Sequence, residues 1–117
     1  MSYVDGFVCA VANDKKAEYI ELARKAAEVF KRCGGIQVVE TWGDKVPAGK
    51  KTSFALAVQC KDDETVVFSW VWWPSKDIQK AGMEAFMEDP ICDSANNPMP
   101  FDGSRLIYGS FNVIVEE

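Results

Sequence analysis

The residues best placed to do chemistry are two carboxylates set in apolar runs. Asp5 lies within Tyr3 to Val11, a stretch rich in β-branched and aromatic residues, at the same parity as Tyr3, Phe7 and Cys9. Alternate residues of a strand share a face, so Asp5 points where Phe7 and Cys9 point. Such a carboxylate is either an edge or dimer-interface group bound by a backbone amide or an arginine, or a general base inside a barrel. Glu40 shares its face with Val38 and Trp42. Among aromatics its carboxylate is desolvated, its pKa rises, and it can exchange protons near neutral pH. The competing reading is a glutamate facing solvent at a strand end.

Aromatic residues are the second group. There are four tryptophans, Trp42, Trp70, Trp72 and Trp73, three of them in one short segment. Large aromatics dominate cores and subunit interfaces, and the alternative is a wall on which a ligand stacks. Trp42 and Trp70 are the candidate ligand-binding tryptophans. Tyr108 is a third candidate, either giving a hydrogen bond to a substrate oxygen or packed with its hydroxyl at a rim. Arg105 and Tyr108 have opposite parity in the last strand, so they cannot both face one cavity. Cys9 has no cationic neighbour to stabilise a thiolate and reads as a packed thiol.

Histidine is absent, which excludes a His-based triad, His-bound haem or zinc, and an imidazole proton shuttle. The four cysteines, Cys9, Cys33, Cys60 and Cys92, stand far apart without a CxxC pair, as reduced thiols of a cytoplasmic protein do. No metal and no cofactor is expected. Neither Gly34-Gly35 nor the loop Asp44 to Lys50 leads a Gly-rich run into a helix, so a phosphate loop is lacking. With 13 Lys and Arg against 18 Asp and Glu, the net charge of -5 opposes binding to nucleic acid or anionic membrane. Phe7, Phe68 and Trp70 superficially suit base stacking, but the basic-Gly-aromatic opening of RNA-recognition strands is missing. The first residues lack the basic region of a signal peptide. The longest apolar run, Val66 to Trp73, is interrupted by Ser69 and is far shorter than the ~20 residues of a membrane span.

These side chains must be positioned by elements that the chain's periodicity predicts. At 117 residues, one domain over residues 1–117 is expected. Tyr3 to Val11 reads as a strand and Asn13-Asp14 as a cap. Tyr19, Ile20, Ala23, Ala27 and Phe30 recur at helical spacing until Gly34-Gly35 closes the helix. Ile36 to Trp42, Ser53 to Cys60 and Thr65 to Trp73 read as strands, with a turn at Asp62-Asp63. Ser75 caps a second helix that stops at Asp89-Pro90. Ile91 to Ser104 is a long irregular connection able to act as a lid, and Arg105 to Val115 is the last strand.

The order matches an α+β, ferredoxin-like split βαβ sandwich with an inserted strand. Two helices cover one sheet face only, yet Phe68, Trp70 and Trp72 alternate with Val67, Val71 and Trp73. An antiparallel sheet with one wet face should alternate apolar and polar. The second face therefore calls for a partner, and a homodimer packed sheet to sheet is expected.

Five blocks, MSYVDGFV from Met1 to Val8, ETWGDKVPAGK from Glu40 to Lys50, TSFALAV from Thr52 to Val58, ETVVFSWVWWPS from Glu64 to Ser75 and MPFDGSRLIYGSF from Met99 to Phe111, make the chain resemble the uncharacterised bacterial YbaA-like family. That family is similar in fold to the dimeric α+β barrels, which include antibiotic-biosynthesis monooxygenases, EthD-type proteins and NIPSNAP proteins. The resemblance implies a homodimeric barrel and no established activity. Superfamily members that degrade haem or oxidise quinols often use His, Asn or Trp, and this chain has no His to contribute. Two functions follow as expectations. One is a dimer that binds a small hydrophobic or aromatic molecule. The other is a cofactor-independent monooxygenase or proton-transfer enzyme, with Asp5 or Glu40 as base.

Overall fold

The computed structural model describes residues 1–117. Strand β1 (Tyr3–Ala12) passes through a 3-10 turn into helix α1 (Lys16–Arg32). Then come β2 (Gln37–Glu40), the one-turn helix α2 (Phe54–Ala57), β3 (Glu64–Trp73), α3 (Lys76–Glu88) and β4 (Ile107–Asn112). The strands form one sheet in the order β2-β3-β1-β4, every neighbouring pair antiparallel. This is the ferredoxin-like split βαβ order.

Local chemistry sets most of the element ends. Gly34 closes α1 at φ 113°, a left-handed conformation that favours glycine. The Gly35 amide then bonds back to the Phe30 carbonyl at 2.9 Å. Ser75 caps α3, its hydroxyl oxygen accepting from the Ile78 amide at 3.2 Å. Asn13 takes a different part from the cap expected of it, since its side-chain oxygen accepts from the Thr65 hydroxyl.

Two strand expectations need correction. Ser53 to Cys60 is not a strand: the Ser53 hydroxyl accepts from the Leu56 amide at 3.0 Å and starts α2. Ala and Leu favour that helical turn, and Gln59, at φ 51°, ends it. The insertion in the sandwich is thus a helical turn, whose Ala55 and following Val58 pack on Val8, Ala10 and Val66. The last strand starts at Ile107 rather than Arg105, because Asp102 caps a 3-10 turn at Gly103–Arg105. Arg105 therefore escapes the parity argument and pairs with Glu64 instead, at 2.7 Å through each of two nitrogens.

The two sheet faces differ in kind. Cys9, Val11, Val67, Val71 and Trp73 are buried beneath the helices with Tyr19 and Phe30. Phe30 stacks on Phe86 at 3.9 Å between ring centroids and so joins α1 to α3. Gly82 lets α3 approach closely, because a Cβ there would lie 2.4 Å from the Trp73 ring and 2.7 Å from the Cys33 carbonyl. On the opposite face, Phe68 is 42% exposed, Ile107 45% and Phe111 58%, with Trp70 and Trp72 half-buried beside them. No helix is long and apolar enough to cross a membrane.

Candidate functional site: a cleft between the first helix and the edge strand

Helix α1 carries Tyr19, Ala23 and Ala27 four residues apart, so they form one stripe. Where that stripe passes β2 the two alanines project only a methyl group, and a cleft of about 330 Å³ opens between helix and strand. Val38 and Glu40 line it from β2, and Thr41 and Trp42 line it just beyond. Lys16, Ile20 and Arg24, again four residues apart, form the outer rim. The Lys16 ammonium sits 5.1 Å from the centroid of the Trp42 ring, a cation-π arrangement.

Glu40 is the acidic group of this cleft. Its carboxylate accepts a 2.6 Å hydrogen bond from the Tyr19 hydroxyl. The residue reaches solvent through the cleft mouth, but crowding by the helix and neighbouring strands strips part of its hydration and raises its pKa above the ordinary value. The Tyr19 and Ser69 hydroxyls oppose that shift by stabilising the anion. Behind Glu40, burial and then the Glu40 charge push the Cys9 thiol up to about 12, so Cys9 stays a neutral thiol. The same two causes raise the Tyr19 phenol, which remains a donor. Phe101, from the connection between α3 and β4, packs on Tyr19 with ring centroids 5.9 Å apart. That connection thus reaches the flank of the site.

Asp5 lies under the same helices and outside the cleft. It is fully buried, and its carboxylate accepts from the Trp73 indole N–H at 3.0 Å, from the Gln79 amide at 3.2 Å and from the Ser110 hydroxyl. Such a set of donors replaces the water that a buried carboxyl group loses. Trp70 is on the open sheet face, 5.4 Å from Phe68 between centroids. Tyr108, 60% exposed, stacks on Phe7 at 5.5 Å. Of the five residues singled out from the sequence, Glu40 and Trp42 come together, whereas Asp5, Trp70 and Tyr108 occupy three other places.

A family model described as a protein of unknown function, DUF1428, matches residues 2–103. The chain belongs to the DUF1428 family. It is 49% identical over 117 residues, the whole of both chains, to the uncharacterised protein YbaA of Escherichia coli K12. The YbaA protein of Shigella flexneri shows the same 49% identity over the same 117 residues. Among solved structures, a mutant of SnoaB, a cofactor-independent oxygenase from Streptomyces nogalater, is similar with a TM-score of 0.61 and 13% identity, over 98% of this chain and 95% of that one. A second SnoaB structure gives a TM-score of 0.56 and 14% identity over the same shares. This DUF1428 chain therefore has the subunit fold of the dimeric α+β barrels.

Helical periodicity places Tyr19 on the inner side of α1 but carries no information on what its hydroxyl meets. A tyrosine on a buried helical stripe needs a partner for its hydroxyl, and a carboxylate in a neighbouring strand is a natural one. The rim cations gave no signal, because lysine and arginine on a helix are ordinary solvent-facing residues.

Proposed function

We propose that this DUF1428 protein binds a small hydrophobic or aromatic molecule in the cleft between α1 and β2, as one domain spanning residues 1–117 in a homodimer. The observation that carries the reading is a partly desolvated carboxylate, Glu40, held by Tyr19 in a cleft walled by Ala23, Ala27, Val38 and Trp42. Apolar walls with a few convergent polar groups are the usual make-up of a small-molecule site. Trp42 supplies the stacking surface. Trp70 and the rest of the open sheet face supply the dimer contact, because leaving such aromatic area in water costs roughly 25 cal/mol for each Å². Four unbridged cysteines support a cytoplasmic home. The test is a fragment screen by protein-observed NMR. Shifts clustered on Ala23, Ala27 and Trp42, lost in Trp42→Ala and Glu40→Gln, support the reading. Binding that ignores both substitutions rejects it.

A second reading, a cofactor-independent monooxygenase or proton-transfer enzyme, is favoured by the raised Glu40 pKa. A carboxylate that holds its proton more tightly is a better base. Glu40 would take a proton from a phenolic O–H, or from a C–H beside a carbonyl, and become the neutral acid. Tyr19, kept protonated, would hold the carboxylate in place. Exchange of such a C–H proton for deuterium, catalysed by the wild type and abolished in Glu40→Gln, would favour this reading over simple binding.

A further inference from the structure

We propose that the molecule taken up by the cleft is an aromatic anion that also carries a protic group, its negative group meeting Arg24 and its hydroxyl or acidic C–H donating to Glu40. The proposal rests on the cleft reading and narrows its ligand class. The chain as a whole has a net charge of -5, yet the charged residues of the cleft are Lys16 and Arg24 against Glu40 alone. The local balance is thus opposite to that of the protein.

Neither rim cation is neutralised by a carboxylate. The ion pairs are Lys25 with Glu21, Arg32 with Asp89, and Arg105 with Glu64 and Asp102. Helix α1 therefore answers the charge of Lys25 on its outer side and leaves Lys16 and Arg24 unanswered beside the cleft. Lys16 rests over the Trp42 ring. Arg24 has five donors in a planar fork, which suits a carboxylate. The two cations are eight residues apart, roughly 12 Å along the helix axis, so together they flank the length of the opening.

Size and polarity agree with a modest aromatic ligand. A volume of about 330 Å³ accommodates a substituted ring. A neutral apolar molecule would leave Arg24 without a counter-charge and add no donor to the Glu40 carboxylate beyond those the protein supplies. An anion with a protic group at its other end satisfies both kinds of charge at once.

The test uses the full chain, isothermal titration calorimetry and four probes built on one ring. These are para-hydroxyphenylacetate, its neutral amide, the cationic tyramine, and phenylacetate, which lacks the hydroxyl. The expected order puts para-hydroxyphenylacetate about tenfold tighter than the amide and than phenylacetate, with tyramine weakest. Arg24→Gln should bring the anion and its amide to within about twofold of each other. Ala27→Leu, which fills the cleft, should remove binding of all four, and Ile20→Trp closes the same opening if the first variant fails to fold. Should the amide or tyramine match the anion while cleft filling still abolishes binding, the anion assignment is overturned and the cleft reading stands. Should no probe bind, or binding survive cleft filling, both are overturned.

Discussion

The Tyr19 hydroxyl donates to the Glu40 carboxylate over 2.6 Å, tying the first turn of α1 to the last residue of β2. The bond places a partly desolvated acid at the mouth of an apolar cleft, and its consequences can be measured through pH. Because the folded pKa of Glu40 lies above its ordinary 4.5, the native state keeps this proton to higher pH than the unfolded chain does. The resulting stabilisation is complete below 4.5 and is lost as pH rises through the folded value. Urea unfolding followed from about pH 4 to about pH 8 should show that decline in the wild type and a flatter profile in Glu40→Gln. Tyr19→Phe, by removing a bond that favours the anion, should raise the carboxyl titration seen by carbon NMR further. A Glu40 titration at or below the ordinary value would contradict the described environment.

Glu64 should behave with the opposite sign. Its hydrogen-bonded pair with Arg105, side chains 10% and 13% exposed, holds its pKa down at about 2. Stability from this group is present above 4.5 and is lost as pH falls through about 2. Glu64→Gln should reduce the acid-side loss of stability. An unchanged acid limb in that variant would mean that the pair contributes nothing.

Asp5 acts as a structural anchor, joining β1 to Trp73, to Gln79 of α3 and to Ser110 of β4. Asp5→Ala leaves three donors facing an apolar gap and should cost about 3 kcal/mol in urea unfolding, with Asp5→Asn nearer 1 kcal/mol. Ligand affinity at the cleft should stay the same in Asp5→Asn. Full stability in Asp5→Ala, or lost affinity in a folded Asp5→Asn, would count against this role.

Gly82→Ala tests the close approach of α3 to the sheet. Alanine favours a helix over glycine by about 1 kcal/mol, but here its methyl would press on the buried Trp73 ring and the Cys33 carbonyl. Overpacking should win, giving a net loss of about 2 kcal/mol by thermal or urea unfolding. A stabilised variant would show that the helices separate easily.

The open sheet face predicts association. Sedimentation equilibrium at micromolar concentration should find about twice the 13.0 kDa of one chain. Phe68→Asp with Trp70→Asp, both on the sheet face opposite α1 and α3, should leave a folded monomer. A stable wild-type monomer would remove the sheet-to-sheet dimer.

How much was legible in the chain depended on how far apart the interacting residues lie. The apolar repeat of α1, its glycine stop, the Ser75 cap and the two-faced alternation of β3 are local patterns, and they were enough to imply a split βαβ sheet with one uncovered face. Parity alone put Asp5 with Cys9, and Glu40 with Val38 and Trp42, on shared faces. The Ser53 cap was local too, but the apolar composition of Phe54 to Val58 suits a short strand as well as a helical turn, and packing on Val8 and Val66 accompanied the helical choice. Which carboxylate becomes an anchor and which lines a cleft was a tertiary decision. Asp5 draws its donors from residues 68, 74 and 105 positions away, and only the closed sheet with α3 docked brings them together. Glu40 meets Tyr19 across 21 positions because α1 lies along β2, and two alanines at that crossing leave the space that a larger pair of side chains would have filled.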